Sequence, residues 1–223
     1  MKIPLNSGGK KLIAAEWDGM KRASISNSHR ILLPQHKKVG PAIVTSFLSE
    51  PAKDLDVENW LRSIKLDSPI SLREILLKFP IESFVEQELG SDRASKMARF
   101  LENTKYPKSH SHGDFHHQNV FNSNGLKAID WEYFSENSSA WLDWMDFQVV
   151  KPPNSWFENL NTFLLNPGSQ SSPFAIQKEH WIGYGIWKTA KDLKQLQILF
   201  GDKLPDQKRI KYIRILKELI DLC

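Results

Sequence analysis

The dipeptide Asn124-Gly125, set between VFNS and LKAIDWE, constrains this chain more than any other feature. Asn-Gly is the strongest short-range hairpin signal, because a two-residue loop of the favoured hand needs positive φ at both central positions. With these two residues as the loop, Ser123 pairs with Leu126, Asn122 with Lys127, Phe121 with Ala128 and Val120 with Ile129. The next pair outward is Asn119 with Asp130. Opposed side chains on such a ribbon lie about 4.5–5.5 Å apart at Cβ. An amide oxygen and a carboxylate are therefore expected to meet at the open end of the hairpin.

That end is fed by SHSHGDFHHQN, residues 109–119, which contains His110, His112, His116 and His117. Oxygen ligands such as Asn119 and Asp130 suit a hard cation, and magnesium in particular, which keeps waters and shares a substrate's phosphates. Asp114 lies five residues before Asn119 on the same loop. A carboxylate there can take the proton of a hydroxyl that attacks a phosphate. Base, metal amide and metal carboxylate together form a phosphoryl-transfer set.

The 223 residues suit one large domain or two small ones, and 40% apolar with a quarter charged is soluble-globular composition. The formal net charge is +4. Basic residues gather in DQKRIKYIRILKEL, opposite a stripe of Ile210, Ile213, Leu216 and Ile220, which reads as a solvated helix face. No nucleic-acid partner is expected. No apolar run reaches the roughly 18 residues of a membrane span, MKIPLNSGGKK carries no signal-peptide block, and the single cysteine, Cys223, excludes an internal disulfide. A cytoplasmic protein without a membrane span is the expectation.

Residues 1–50 read as mixed structure. KKLIAAEWDGMKRA is a helix capped by Asn6 or Ser7, followed by two strand-like runs, RILLP and PAIVTSFL. From about residue 55 the pattern turns helical: DVENWLRSI, SLREILLKF, and SDRASKMARFLEN with Ser91 as cap and a stripe of Ala94, Met97, Ala98 and Leu101. Residues 138–222 are again helical, with Trp141, Trp144 and Met145 on one face and Trp181, Tyr184 and Trp187 on another, assigned to core packing. Two regions result: a small mixed one over 1–50 and a larger helical one over 51–223 that holds the loop and hairpin.

HGDFHHQN followed by IDWE resembles the catalytic loop and metal motif of the aminoglycoside phosphotransferase and choline kinase superfamily, small-molecule kinases with a protein-kinase-like fold. The match covers residues 112–146. The resemblance implies an α+β, two-lobed fold, with ATP and magnesium as cofactors and a small-molecule hydroxyl as acceptor. It implies Asp114 as catalytic base, Asn119 and Asp130 as magnesium ligands, His112 as a brace for the loop and Asp143 as a structural aspartate. Lys2 in KIPL resembles the strand lysine that grips nucleotide phosphates, and Glu16, on a face with Leu12 and Met20, resembles its helix partner. A glutamate in an apolar stripe needs a cation, since burying it unpaired is costly. PAIVTSFL resembles the strand entering the adenine-binding hinge, near Phe47 to Glu50. His116, Trp131 and Glu132 are candidate acceptor contacts. With Lys2 as the strand lysine, the opening strands and phosphate-covering loop of the small lobe are expected to be missing, giving a truncated N-terminal lobe.

Two alternatives stand beside this. HSHGDFHH comes within one residue of HxHxDH, the signature of binuclear metallohydrolases, but Phe115 intervenes and only His180 follows as a further histidine. A catalytically impaired kinase-like binding module is the other, favoured by the short N-terminal region and opposed by the intact base and metal-ligand set.

Overall fold

Asn6 begins the first helix. Its side chain accepts the Gly9 N–H at 2.8 Å, which satisfies one of the orphan donors at the start of α1 (Ser7–Ile25). Ile13, Glu16, Met20 and Ala23 fall on the buried face at helical spacing, so a glutamate sits within the apolar stripe. The computed structural model describes the chain apart from residues 1, 5, 47, 49, 168–171, 173 and 202–204.

The chain divides into two compact units, residues 1–67 with 107–153, and residues 68–106 with 154–223. In the first, β1 (His36–Val39) and β2 (Ala42–Thr45) form an antiparallel ribbon around Gly40. Lys2 adds to it as an isolated bridge, exchanging backbone hydrogen bonds with Ile43 at 2.9 and 3.2 Å. RILLP, expected as a strand, forms a 3-10 turn over Arg30–Leu32 that buries Leu32. Its hydrophobicity serves the core without a strand partner. α2 (Asp54–Ser63) buries Val57, Trp60 and Leu61.

The hairpin consists of β5 (Val120–Asn122) and β6 (Leu126–Ala128), with Val120 opposite Ala128, Phe121 opposite Lys127 and Asn122 opposite Leu126. This corrects the expected register by one residue. Asn124 and Gly125 do take positive φ, 51° and 100°, but Ser123 joins them in a three-residue loop, its N–H donating to the Gly125 carbonyl. Pro51 bridges Phe121 on the outer edge of β5. β4 runs over Lys105–Ser111 and β7 over Ser135–Ser138; they pair antiparallel through Ser109 with Ser138 and Ser111 with Ser135. α6 (Ala140–Val149) follows, capped by Ser139 and buried along most of its length.

The second unit contains mainly helices. β3 (Asp67–Ser71) leads to α3 (Leu72–Leu76), which starts with a capping box between Ser71 and Glu74. Then come α4 (Ile81–Leu89), α5 (Ser91–Asn103), α7 (Trp156–Leu165), α8 (Lys178–Phe200) and α9 (Asp206–Leu222). Gly90 is the cap of α5, and Ser91 is its first helical residue. Trp181 stacks on Phe163, and with Tyr184 and Trp187 it is buried. These aromatics are core.

Candidate active site

Asp114 lies on the loop between β4 and β5, and that loop is shaped by one buried aspartate. Asp143, fully buried on α6, accepts from the Ser111 hydroxyl at 3.0 Å, the His112 N–H at 2.8 Å and the Gly113 N–H at 2.9 Å. Burial pushes its carboxyl up to about 7, against the three donors that favour its charged form. Gly113 has φ of 81°, and a Cβ there would meet the Tyr133 carbonyl oxygen at 2.6 Å, so the loop can pass only as glycine. His112 is buried, and its Nδ1 accepts from the Asp114 N–H at 3.3 Å.

Asn119 ties the two ends of the loop. Its Nδ2 donates to the Asp114 backbone carbonyl at 3.0 Å and to Asp114 Oδ2 at 2.9 Å. An amide that donates with its nitrogen turns its carbonyl oxygen the other way. His116 Nε2 lies 3.2 Å from the same Nδ2 and 3.6 Å from Asp114 Oδ2.

Across the first unit, Lys2 Nζ donates to Glu16 Oε2 at 2.9 Å and also contacts Asp130. Glu16 is 3% exposed, so the lysine supplies the charge its burial requires. Asp130 leaves the hairpin in a left-handed conformation, φ 65° and ψ 60°, uncommon for a non-glycine residue. The Ile129 N–H donates to the Asn119 carbonyl. Asp130 is therefore one residue beyond that pair, and the left-handed turn replaces the directly opposed pairing expected of it. The 3-10 turn Trp131–Tyr133 follows, and α1 crosses it at Gly19, where an added Cβ would stand 1.9 Å from the Trp131 carbonyl oxygen.

Glu132 joins the two groups. Burial raises its carboxyl to about 7, Asp114 and Glu16 push it further up, and Lys2 acts against them. Ligand oxygens of Glu16, Asp130 and Glu132 lie within 4.8 Å of one another. Buried or half-buried carboxylates at that spacing repel, and a hard divalent cation with oxygen ligands relieves them, so the donor set fits magnesium. Of the expected pair, Asp130 stands in this cluster with two further carboxylates, while the Asn119 side chain is held to Asp114. Glu132 was expected as an acceptor contact, and no pattern in the sequence points it toward Glu16.

The remaining expected residues have other surroundings. Trp131 is fully buried, its indole donating to the Ala128 carbonyl at 2.8 Å, which makes it core. Glu50 is exposed, its carbonyl accepting from the Asn122 N–H; Phe47 lies outside the described residues. The histidines disperse: His110 pairs with Ser26 at 2.7 Å, and His117 stacks on Phe147 at 3.9 Å between centroids. The metal-competent group among the described residues contains no histidine. That removes the basis for a histidine-built binuclear centre.

No protein-family model matches the chain, and no curated protein matches it. Among solved structures it is similar to a choline/ethanolamine kinase family protein from Mesorhizobium loti, with a TM-score of 0.50 and 15% identity over 95% of this chain and 79% of that one. The two share a fold. Among the described residues, no helix is long and apolar enough to cross a membrane.

Proposed function

We propose that this chain is an ATP- and magnesium-dependent phosphotransferase acting on a hydroxyl of a small molecule. The observation that carries the reading is the presence of two groups in one compact unit: Asp114 hydrogen-bonded to Asn119, and Lys2 set against Glu16 and Asp130 with Glu132 beside those two carboxylates. Asp114 accepts the acceptor's proton as its oxygen attacks the γ-phosphorus, and the bond to the β-phosphate oxygen breaks. Asn119 and Asp130, with Glu132 beside them, would hold magnesium, which when bound neutralises charge on the transferring group. Lys2, oriented by Glu16, addresses the nucleotide phosphates. Asp143 fixes the backbone that presents Asp114. In this reading residues 1–50 supply the nucleotide side, and the loop and hairpin over 109–130 of the same compact unit supply the base and the metal carboxylate. The motif's resemblance points to an acceptor of the aminoglycoside, choline or sugar type, and the neighbour of similar fold is a choline/ethanolamine kinase family protein.

A second reading draws on the Lys2 contact with Asp130, which places an ammonium against a metal-binding carboxylate. In an impaired kinase-like module that contact would persist and nucleotide would bind without turnover. The test measures ADP release with ATP, magnesium and a panel of hydroxyl acceptors, beside thermal stabilisation. The kinase reading requires acceptor-dependent ADP release that is lost in Asp114→Ala and in Asp130→Ala. Full turnover in Asp114→Ala would remove the base assignment, and stabilisation by ATP without any turnover would favour the module.

A further inference from the structure

The structure points to a role for His116 that no kinase assignment above requires, although it rests on Asp114 being the base. The Gln118 N–H donates to His116 Nδ1 at 3.3 Å. An imidazole nitrogen that accepts has no proton, so the neutral ring carries its proton on Nε2. Nε2 faces Asp114 Oδ2 at 3.6 Å and Asn119 Nδ2 at 3.2 Å. The two Asn119 N–H bonds are both directed at Asp114, one to its carbonyl and one to Oδ2. Of the two atoms that Nε2 faces, only Oδ2 can accept its proton, and at 3.6 Å it lies beyond hydrogen-bonding distance; catalytic hydrogen bonds are commonly long until substrate binds.

We propose that His116 is a positioning residue: its Nε2–H and the Asn119 amide together hold Oδ2 of Asp114, which turns Oδ1 to the acceptor hydroxyl. Two donors on one oxygen fix both the position and the rotation of a carboxylate, and a displacement of about 1 Å at a reacting group costs about a hundredfold in rate. The contact comes from a loop residue two positions after the base, whose ring is half-buried and not part of the core.

The test uses the full chain with ATP and magnesium and water as acceptor, read as ADP release, so no acceptor need be known. His116→Phe keeps a ring and removes the donor; His116→Gln places an amide N–H near the position of Nε2. The expected result is a kcat lower by about ten- to hundredfold in His116→Phe, with KM for ATP unchanged, and recovery of most of that loss in His116→Gln. Wild-type kcat in His116→Phe, or equal losses in both variants, overturns the inference. Asp114→Ala in the same assay separates the two levels: if it releases ADP as fast as the wild type, the base reading fails and this inference with it. Imidazole ¹⁵N spectra give a check that needs no turnover. A proton on Nε2 at neutral pH, with a resonance that moves in Asp114→Asn, supports the arrangement; a proton on Nδ1 overturns it.

Discussion

At the scale of single residues, the candidate site depends on side chains that never touch substrate. Asp143 is the clearest. Two backbone N–H groups and one hydroxyl converge on it in a fully buried place, and nothing else in the described contacts of Ser111 replaces it. A buried donor left without an acceptor costs about 1–3 kcal/mol. Asp143→Ala is therefore expected to destabilise the fold by about 2–4 kcal/mol, since the three donors relax in part. It should also lower turnover well beyond what the stability loss explains, because the backbone it holds is the one presenting Asp114. Denaturant unfolding together with ADP release at a temperature where the variant is folded checks both. A variant of wild-type stability would show that water replaces the carboxylate and would detach Asp143 from loop geometry.

At the scale of elements, the crossing of α1 over the 131–133 turn decides where Glu16 stands. Gly19 permits a closeness that no other residue allows, since a Cβ there would lie 1.9 Å from the Trp131 carbonyl oxygen and 2.9 Å from its carbon. Alanine is favoured over glycine in a helix by about 1 kcal/mol, but a backbone clash of that depth forces the helix away, and overpacking costs about 1–3 kcal/mol. Gly19→Ala should lower Tm and weaken stabilisation by ATP with magnesium, because Glu16 moves with the helix. Gly9→Ala serves as the control: its nearest atoms are at 3.4 Å and beyond, and no loss of Tm is expected there. Equal responses in the two variants would refute the crossing. The helix itself was legible in the sequence, cap and buried stripe alike, because both follow from residue type and a 3.6-residue period. The hairpin was legible only to within one residue. Two- and three-residue loops both use the positive φ of Asn124 and Gly125, and the local sequence does not separate them. Residues 50–52 also take the outer edge of β5, through Ala52 N–H to the Val120 carbonyl and Asn122 N–H to the Glu50 carbonyl, a pairing between segments some seventy positions apart. A slip of one residue turns every side chain to the other face. Asp130 was still legible as a candidate, since it reaches the carboxylate cluster through its left-handed turn and not through the ladder. Lys2 depends likewise on a distant bridge to Ile43, and Glu132 on the crossing at Gly19.

At the scale of the whole molecule, titratable groups buried in the first unit make stability depend on pH in two opposing ways. His29, absent from any sequence motif, is fully buried against Trp60, Phe134, Trp131 and His110, with ring centroids 5.3–6.5 Å away. Burial, with smaller contributions from His112 and His110, lowers its pKa from 6.5 to about 3. Between those values the unfolded chain binds a proton that the folded chain refuses, so stability is lost as pH falls from about 6.5 towards 3. Glu132 and Asp143 act with the opposite sign. Their carboxyls, ordinarily at 4.5 and 3.8, are raised to about 7, so the folded chain holds protons that the unfolded one has released, and stability falls as pH rises through that window. The metal-free protein should accordingly show a shallow maximum of Tm in weak acid and a decline towards neutrality. Magnesium bound by the cluster favours the charged form of Glu132 and should flatten that decline. Glu132→Gln should flatten it without magnesium, and His29→Phe should remove the loss on the acid side and steepen the decline towards neutrality. Tm measured across pH for the wild type and both variants, with and without magnesium, tests the account. A Glu132→Gln curve parallel to the wild type would mean that Glu132 is solvated and ionised in the folded protein. The acidic cluster would then have no call for a cation, and the metal assignment would lose its electrostatic ground.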